Sequence, residues 1–307
     1  MSRPEPHQTE NQLEYRVFTA TRPGLTPDIP ADFESLAWVA NSSTLIYGMR
    51  DAVLVDTFLT LDQSVQLADA VAASGKNLTH VYITHGHGDH FFGLGALQER
   101  FPNVRAVAKA GVIDRIEAQL TPAWLEGFWR QRFPGQIPDE PAVPEGLDEV
   151  SIELEGHALV PIETGYTDTA DSTSLYVPSI GLIAAGDVVY NGIHPYLGES
   201  NALTRLQWID ALDKLDTLNA RAVVAGHKIP DNDDDPTAIA QTRHYLLDFA
   251  RLDQATDSPR QLFDAMIALY PDRANPGSLW GGANAAKREA ENGAPSAVAT
   301  GEGNEQR

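Results

Sequence analysis

The 307-residue sequence predicts an α/β fold. Three observations carry that reading. Short apolar runs rich in β-formers alternate with segments whose apolar residues recur at helical spacing. Residues 52–83 read as strand, helix, strand. The residues best suited to chemistry fall where strand runs stop, which is where open α/β sheets present their ligands.

Residues 1–14 are polar and expected to be disordered. From Leu36 three apolar runs, 36–40, 44–47 and 52–55, follow as a meander with turns at Asn41-Ser42-Ser43 and Gly48. Thr60 and Gln63 have the spacing of a capping box. The helix they open carries Val65, Ala68, Val71 and Ala72 on one face and stops at Gly75. Residues 78–83 read as a buried strand, and a helix over 93–101 and a strand over 104–108 come next.

Residues 111–135 read as a helical insert whose two stretches meet at Thr121-Pro122. Its Trp124, Leu125, Phe128, Trp129 and Phe133 recur at spacings of three and four. That face either packs on the core or covers a site as an apolar wall. Two or three strands occupy 149–179, then a strand run ends at Asp187. His194 follows closely and reads as a polar loop residue. A helix over 203–218 leads into the strand that ends at His227.

The acidic run 231–235 lacks the glycine and distal glutamate of a calcium loop, so it reads as a solvated cap for a helix starting at Pro236. Helices at 237–252 and 259–269 complete the domain, 15–282. Residues 283–307 show no periodicity and are expected to be a disordered tail.

Composition removes several classes of function. Lys and Arg number 22 against 43 Asp and Glu, a formal charge of −21, and such a surface repels phosphate backbones. No nucleic-acid partner is expected. There is no cysteine, hence no disulfide and no thiolate ligand. No apolar run approaches the ~18 residues of a spanning helix and the N-terminus lacks a signal-like core, so no membrane association is expected and a cytoplasmic location is the default. No oligomeric state follows from the sequence.

The densest chemistry is Thr84-His85-Gly86-His87-Gly88-Asp89-His90. His85 and His87 are two apart and project to one side of an extended segment. Gly86 and Gly88 allow the tight turn that brings Asp89 and His90 to the same point. Imidazole and carboxylate donors at this density suit Zn, Fe or Mn, and their number leaves room for a metal pair.

In these residues the chain resembles the metallo-β-lactamase superfamily, whose signature is His-x-His-x-Asp-His at a strand end. The resemblance covers roughly residues 35–250. It implies a four-layer αββα sandwich with metals, most simply two Zn²⁺, at one edge between the sheets. It implies His85, His87, Asp89, His90, Asp187 and His227 as ligands, Asp187 bridging both metals, and Asp56 behind them. One motif departs: Tyr166 stands where a third first-site histidine is expected, and Asp168 lies two residues on. Tyr166 or Asp168 would then ligate, or Tyr166 merely packs and leaves that site weakened.

Two metals about 3.5–4 Å apart lower the pKa of a shared water to roughly 7, and the hydroxide attacks a carbonyl. Asp89 would orient it, and Tyr166 is a candidate proton donor. No Gly-x-Ser-x-Gly elbow and no cysteine offers a covalent route. The expectation is a hydrolase of an ester, lactone, thioester or amide in a small, partly apolar substrate. An iron-dependent redox enzyme and a non-catalytic binding member are the alternatives.

Overall fold

The structure, a computed structural model, describes residues 12–24, 26, 29–30 and 36–293. Two sheets lie face to face. The first runs in the order β1 (Glu14–Pro23), β2 (Trp38–Tyr47), β3 (Asp51–Val55), β4 (Asn77–Tyr82), β5 (Arg105–Ala108), β6 (Glu145–Gly146). The second runs β11 (Ala222–Lys228), β10 (Leu182–Asn191), β9 (Ser172–Val177), β8 (His157–Gly165), β7 (Ile152–Leu154).

Period-two alternation divides the apolar side chains between two faces of each sheet. Ile46, Val53, Val55, Leu175, Leu182 and Val224 meet in one core between the sheets. Leu45, Ala52, Leu54 and Val81 face the other way, onto α1 (Leu61–Ala73), α3 (Leu94–Arg100) and α4 (Ala110–Gln119). Ile183, Ala185, Val223 and Ala225 do the same in the second sheet. They pack on α7 (Ala202–Asp216), α8 (Thr237–Ala255), α9 (Pro259–Leu269) and α10 (Pro276–Gly293). Three cores between four layers make the αββα sandwich.

Parallel pairing of β3 with β4 and of β10 with β11 points all four strands' carboxyl ends to one edge. Asp56, the histidine cluster, Asp187 and His227 sit at that edge.

Several local expectations change. Strand β1 was not foreseen; it pairs with β2 from Glu14↔Tyr47 to Pro23↔Trp38. Helix α10 continues to Gly293, so residues 283–293, expected without regular structure, are helical; Leu279, Ala283 and Ala286 give it a buried stripe. The remainder of that expected tail, and residues 1–11 of the expected N-terminal one, lie outside the described residues.

Only half of the expected capping box forms. Thr60 accepts from the Gln63 backbone, while the Gln63 side chain donates to the Thr21 carbonyl. The helix buries Ser64, Leu67, Ala68 and Val71, and Val65 is 54% exposed. In the acidic run, Asp235 does cap α8 through the Thr237 N–H, but Asp234 pairs with Lys228 rather than water. His194 lies in the loop after β10 as expected, but it is fully buried there and bonded to the Tyr245 hydroxyl at 2.9 Å.

Candidate metal centre

Residues 85–87 leave β4 as a loop, and Asp89 and His90 sit in the short α2 (Gly88–Phe91). Neither Gly86 nor Gly88 adopts a positive φ. Both are needed for space. A Cβ at Gly86 would strike Arg115 of α4, and one at Gly88 would strike the Phe92 ring at 2.5 Å.

Asp56 holds this loop from behind. It adopts a left-handed backbone, φ 60°, which is rare for a residue with a Cβ and concentrates at functional sites. Its carboxylate accepts from the Thr84 N–H and hydroxyl, both at 2.8 Å, and from His90 Nδ1 at 3.0 Å.

The histidines then orient themselves. His90 uses Nδ1 on Asp56, His227 uses Nδ1 on the Ala40 carbonyl at 2.9 Å, and His85 uses Nδ1 on the Thr84 hydroxyl at 3.0 Å. Each therefore turns Nε2 inward, toward the carboxylates, where it offers a lone pair to a metal once the ring is neutral. His85 Nε2 faces Asp168 Oδ2 at 3.6 Å and Asp187 Oδ2 at 3.9 Å. His90 Nε2 is 3.3 Å from Asp187 Oδ1, and His227 Nε2 is 3.1 Å from Asp187 Oδ2. His87 is reversed: Nδ1 lies 2.9 Å from Asp168 Oδ2, and Nε2 lies 3.0 Å from Glu199 Oε1.

Two groups of donors result, each with atoms within 4.8 Å of one another: His85, His87, Asp168, Asp187, and Asp89, His90, His227. Asp187 reaches both. A third group, Asp56 with His85 and His90, meets the same distance but commits Asp56 to Thr84 and His90.

Three buried atoms, His85 Nε2, His90 Nε2 and Asp187 Oδ1, have no hydrogen-bond partner, and a fourth, Asp168 Oδ2, has only its contact with His87 Nδ1. Leaving them so costs about 1–3 kcal/mol each, more where charged. All four face the middle of the cluster, so these residues fit a metal centre.

The electrostatics agree. Burial alone would raise the Asp187 carboxyl, but His227, His90 and His85 hold it well below the usual range. Burial likewise opposes ionisation of Asp89, which His90, Arg22 and His227 hold down. His87 is buried yet pushed well above its ordinary value by Glu199 and Asp168, the response of a place that attracts positive charge.

Asp168, one of two replacements weighed for the missing histidine, is the one that arrives. The Tyr166 hydroxyl instead donates to the Glu199 carbonyl at 2.7 Å. The parts that sequence reasoning missed come from outside the motifs. Arg22 of β1 and Asn41 of β2 both donate to Asp89 Oδ2, at 2.9 and 3.0 Å. Tyr190 donates to Asp187 Oδ2 at 2.6 Å and stacks on His227. Glu199 carries no motif and reaches His87 only through the fold. Gly226 was in plain view: a Cβ there would overlap the Asp187 carboxylate.

A cavity of about 290 Å³ opens above the centre, with His87, Asp89, Asp187 and His227 in its lining. The helical insert supplies one wall. It serves both expected roles: Trp129 and Phe133 enter the core, while Trp124 and Phe128 stay part-exposed and face the cavity. A π-helical turn, Leu125–Trp129, follows α5 (Pro122–Trp124) and carries both Phe128 and Trp129; such turns are frequent at functional sites.

The comparisons with known proteins point the same way. A family model described as the metallo-beta-lactamase superfamily matches residues 36–227. A UPF0173 metal-dependent hydrolase of Rhizobium johnstonii is 26% identical over 176 residues, 50% of this chain and 73% of that protein. One from Rhizobium etli is 27% identical over the same length and the same shares. Among solved structures, a metallo-beta-lactamase family protein from Thermus thermophilus superposes with TM-score 0.58 at 21% identity, covering 90% of this chain and 94% of that one. A metallo-beta-lactamase from Pontibacter korlensis gives 0.56 at 19%, covering 77% and 99%.

Proposed function

Because the chain belongs to the metallo-beta-lactamase superfamily, we propose that it is a metal-dependent hydrolase of an ester, lactone, thioester or amide bond in a small, partly apolar substrate. The observation that carries this is the set of four buried donor atoms facing one another beneath an open cavity, three of them with no hydrogen-bond partner.

His85, His87, Asp168 and Asp187 would hold one divalent ion, and Asp89, His90, His227 and Asp187 a second. Ions there supply Lewis acidity and bring the pKa of water down to about 7. The chain's own residues do the rest. Asp56, Ala40 and Thr84 fix three imidazole tautomers, and Tyr190 fixes the rotamer of Asp187. Arg22 and Asn41 pin Asp89, whose carboxylate is too weak a base to take a proton and so orients the nucleophile. The Tyr166 hydroxyl already donates to a backbone carbonyl, so the proton-donor role expected of it is not carried over. Trp124 and Phe128 keep water from one side of the cavity and give an apolar acyl or leaving group a surface.

The donor sets are oxygen-rich for zinc, because Asp168 stands where a nitrogen was expected. Manganese or iron suits such a set as well as zinc does. That one feature favours the second reading, an iron-dependent redox enzyme, which an optical spectrum of the purified chain separates from a colourless zinc or manganese hydrolase. With Asp168 in place the first donor group is full, so the non-catalytic reading loses its premise.

The test is a panel of p-nitrophenyl esters, a lactone, a thioester and an anilide, assayed with the wild type and Asp187→Ala. Turnover of at least one class that falls by a factor of 100 or more in the variant is expected. Equal turnover in the two, or none by a metal-loaded wild type, counts against the reading.

A further inference from the structure

The cavity's two ends differ in charge. Its floor holds Asp89, Asp187 and Glu199 with Asp168 behind them, and the cations there are committed, Arg22 to Asp89 and His87 to Glu199. Its mouth holds Arg132, from α6 (Arg130–Arg132), and Arg288 of α10. Arg132 has no ion-pair partner among the described residues, in a chain with 43 acidic side chains for 22 basic ones. Arg132 is held in place without one. Its guanidinium carbon lies 3.8 Å from the centroid of the Phe128 ring, and Phe128 packs against Trp124 at 5.2 Å. Trp124, Phe128 and Arg132 thus form a stripe along the insert, two aromatic rings ending in a cation.

The geometry points to a substrate with an oxyanion, carboxylate or phosphate, at one end of an apolar body. This rests on the hydrolytic site proposed above and adds which end of the substrate goes where. A guanidinium fork matches either oxyanion, and its stacking on Phe128 reduces the freedom it must lose on binding. The floor is given over to the donor cluster, where the bond to be cleaved must lie, so the charged end belongs at the mouth, beside Arg132 and Arg288. The apolar body lies along Trp124 and Phe128, and the bond to be cleaved reaches the floor. A volume of about 290 Å³ at the small end of ligand pockets limits the body to a few carbons or one ring.

Binding tests this without turnover. The purified full-length chain is titrated, by tryptophan fluorescence and calorimetry, with 4-phenylbutyrate, 3-phenylpropyl phosphate and the neutral 4-phenylbutyramide. The wild type, Arg132→Gln, Arg288→Gln and the double variant are compared, with circular dichroism confirming the fold of each. At least one oxyanion is expected to bind the wild type at least tenfold tighter than the amide, and the tighter of the two names the oxyanion. The double variant should bring that ratio to within about twofold and leave the amide's affinity unchanged.

Equal affinities in the wild type overturn the inference. So does a preference that survives in the double variant, which would seat the anion on the floor, and so does no binding of either oxyanion at millimolar concentration. A chain with the preference that hydrolyses nothing loses the hydrolase reading alone; a hydrolase without the preference loses this one alone.

Discussion

Removing Asp168 separates the two readings of the missing histidine. Its side chain is fully buried. Oδ1 accepts from the Thr167 hydroxyl at 2.8 Å, which leaves Oδ2 facing His87 and His85 at 2.9 and 3.6 Å. If Asp168 completes the first donor group, Asp168→Ala removes one ligand in four. Four-ligand sites bind with roughly 10–16 kcal/mol, so one ligand accounts for about 2.5–4 kcal/mol, or on the order of 100–1,000-fold in affinity. Asp168→Asn keeps the shape and one oxygen acceptor, so it should lose less, about tenfold. The assay is competition with a chromophoric chelator, read as two dissociation constants per chain, with circular dichroism confirming the fold. Asp168→Ala should weaken one site and spare the other. Two unchanged constants would refute the assignment and return the first site to three protein ligands and water.

Tyr166→Phe loses one hydrogen bond to a carbonyl, about 1 kcal/mol of stability, and should leave metal content unchanged and kcat/KM within about twofold; a larger loss of kcat would restore Tyr166 as an acid. Tyr190→Phe removes the donor on Asp187, and changes behind a ligand typically cost 10–100-fold in metal affinity, so a chelator titration should show that loss with little change in melting temperature. His194 is pushed down to about 3 by burial and by Arg273. The unfolded chain therefore takes a proton near pH 6.5 that the folded chain refuses, and stability falls as pH drops from there toward 3. This group alone contributes a slope of up to about 1.4 kcal/mol per pH unit. Denaturant unfolding at several pH values should give a shallower slope for His194→Gln than for the wild type.

The layered fold was legible because its signals are local. The β10 and β11 runs are apolar enough to be buried on both faces, and the helices of the second half show their periods. Strand β1 escaped because it is half-exposed and polar, and becomes a strand only by pairing with β2 along ten residues. The end of α10 escaped because Ala, Gly and Asn give no apolar period; the helix stands on a narrow stripe of small residues against α9.

In the site, the motif residues converge as their strand ends foretold, since a metal ligand must sit on something rigid. What holds them did not announce itself. Arg22 lies 67 residues from Asp89, and Glu199 lies 112 residues from His87. A partner at that separation has no local pattern, only a position in the fold. The choice between Tyr166 and Asp168 was of the same kind: two residues apart in sequence, they turn to different partners, and only the path of the loop after β8 decides which faces the donor cluster.

The central claim is that two metal ions share Asp187. It is tested most directly by metal quantification on the purified chain, the His90→Ala/His227→Ala double variant, and Asp187→Ala. About two equivalents are expected in the wild type, about one in the double variant, and weakened retention of both on chelator dialysis in Asp187→Ala. Metal content in the double variant equal to that of the wild type, or an Asp187→Ala chain that keeps both ions through dialysis, would contradict it.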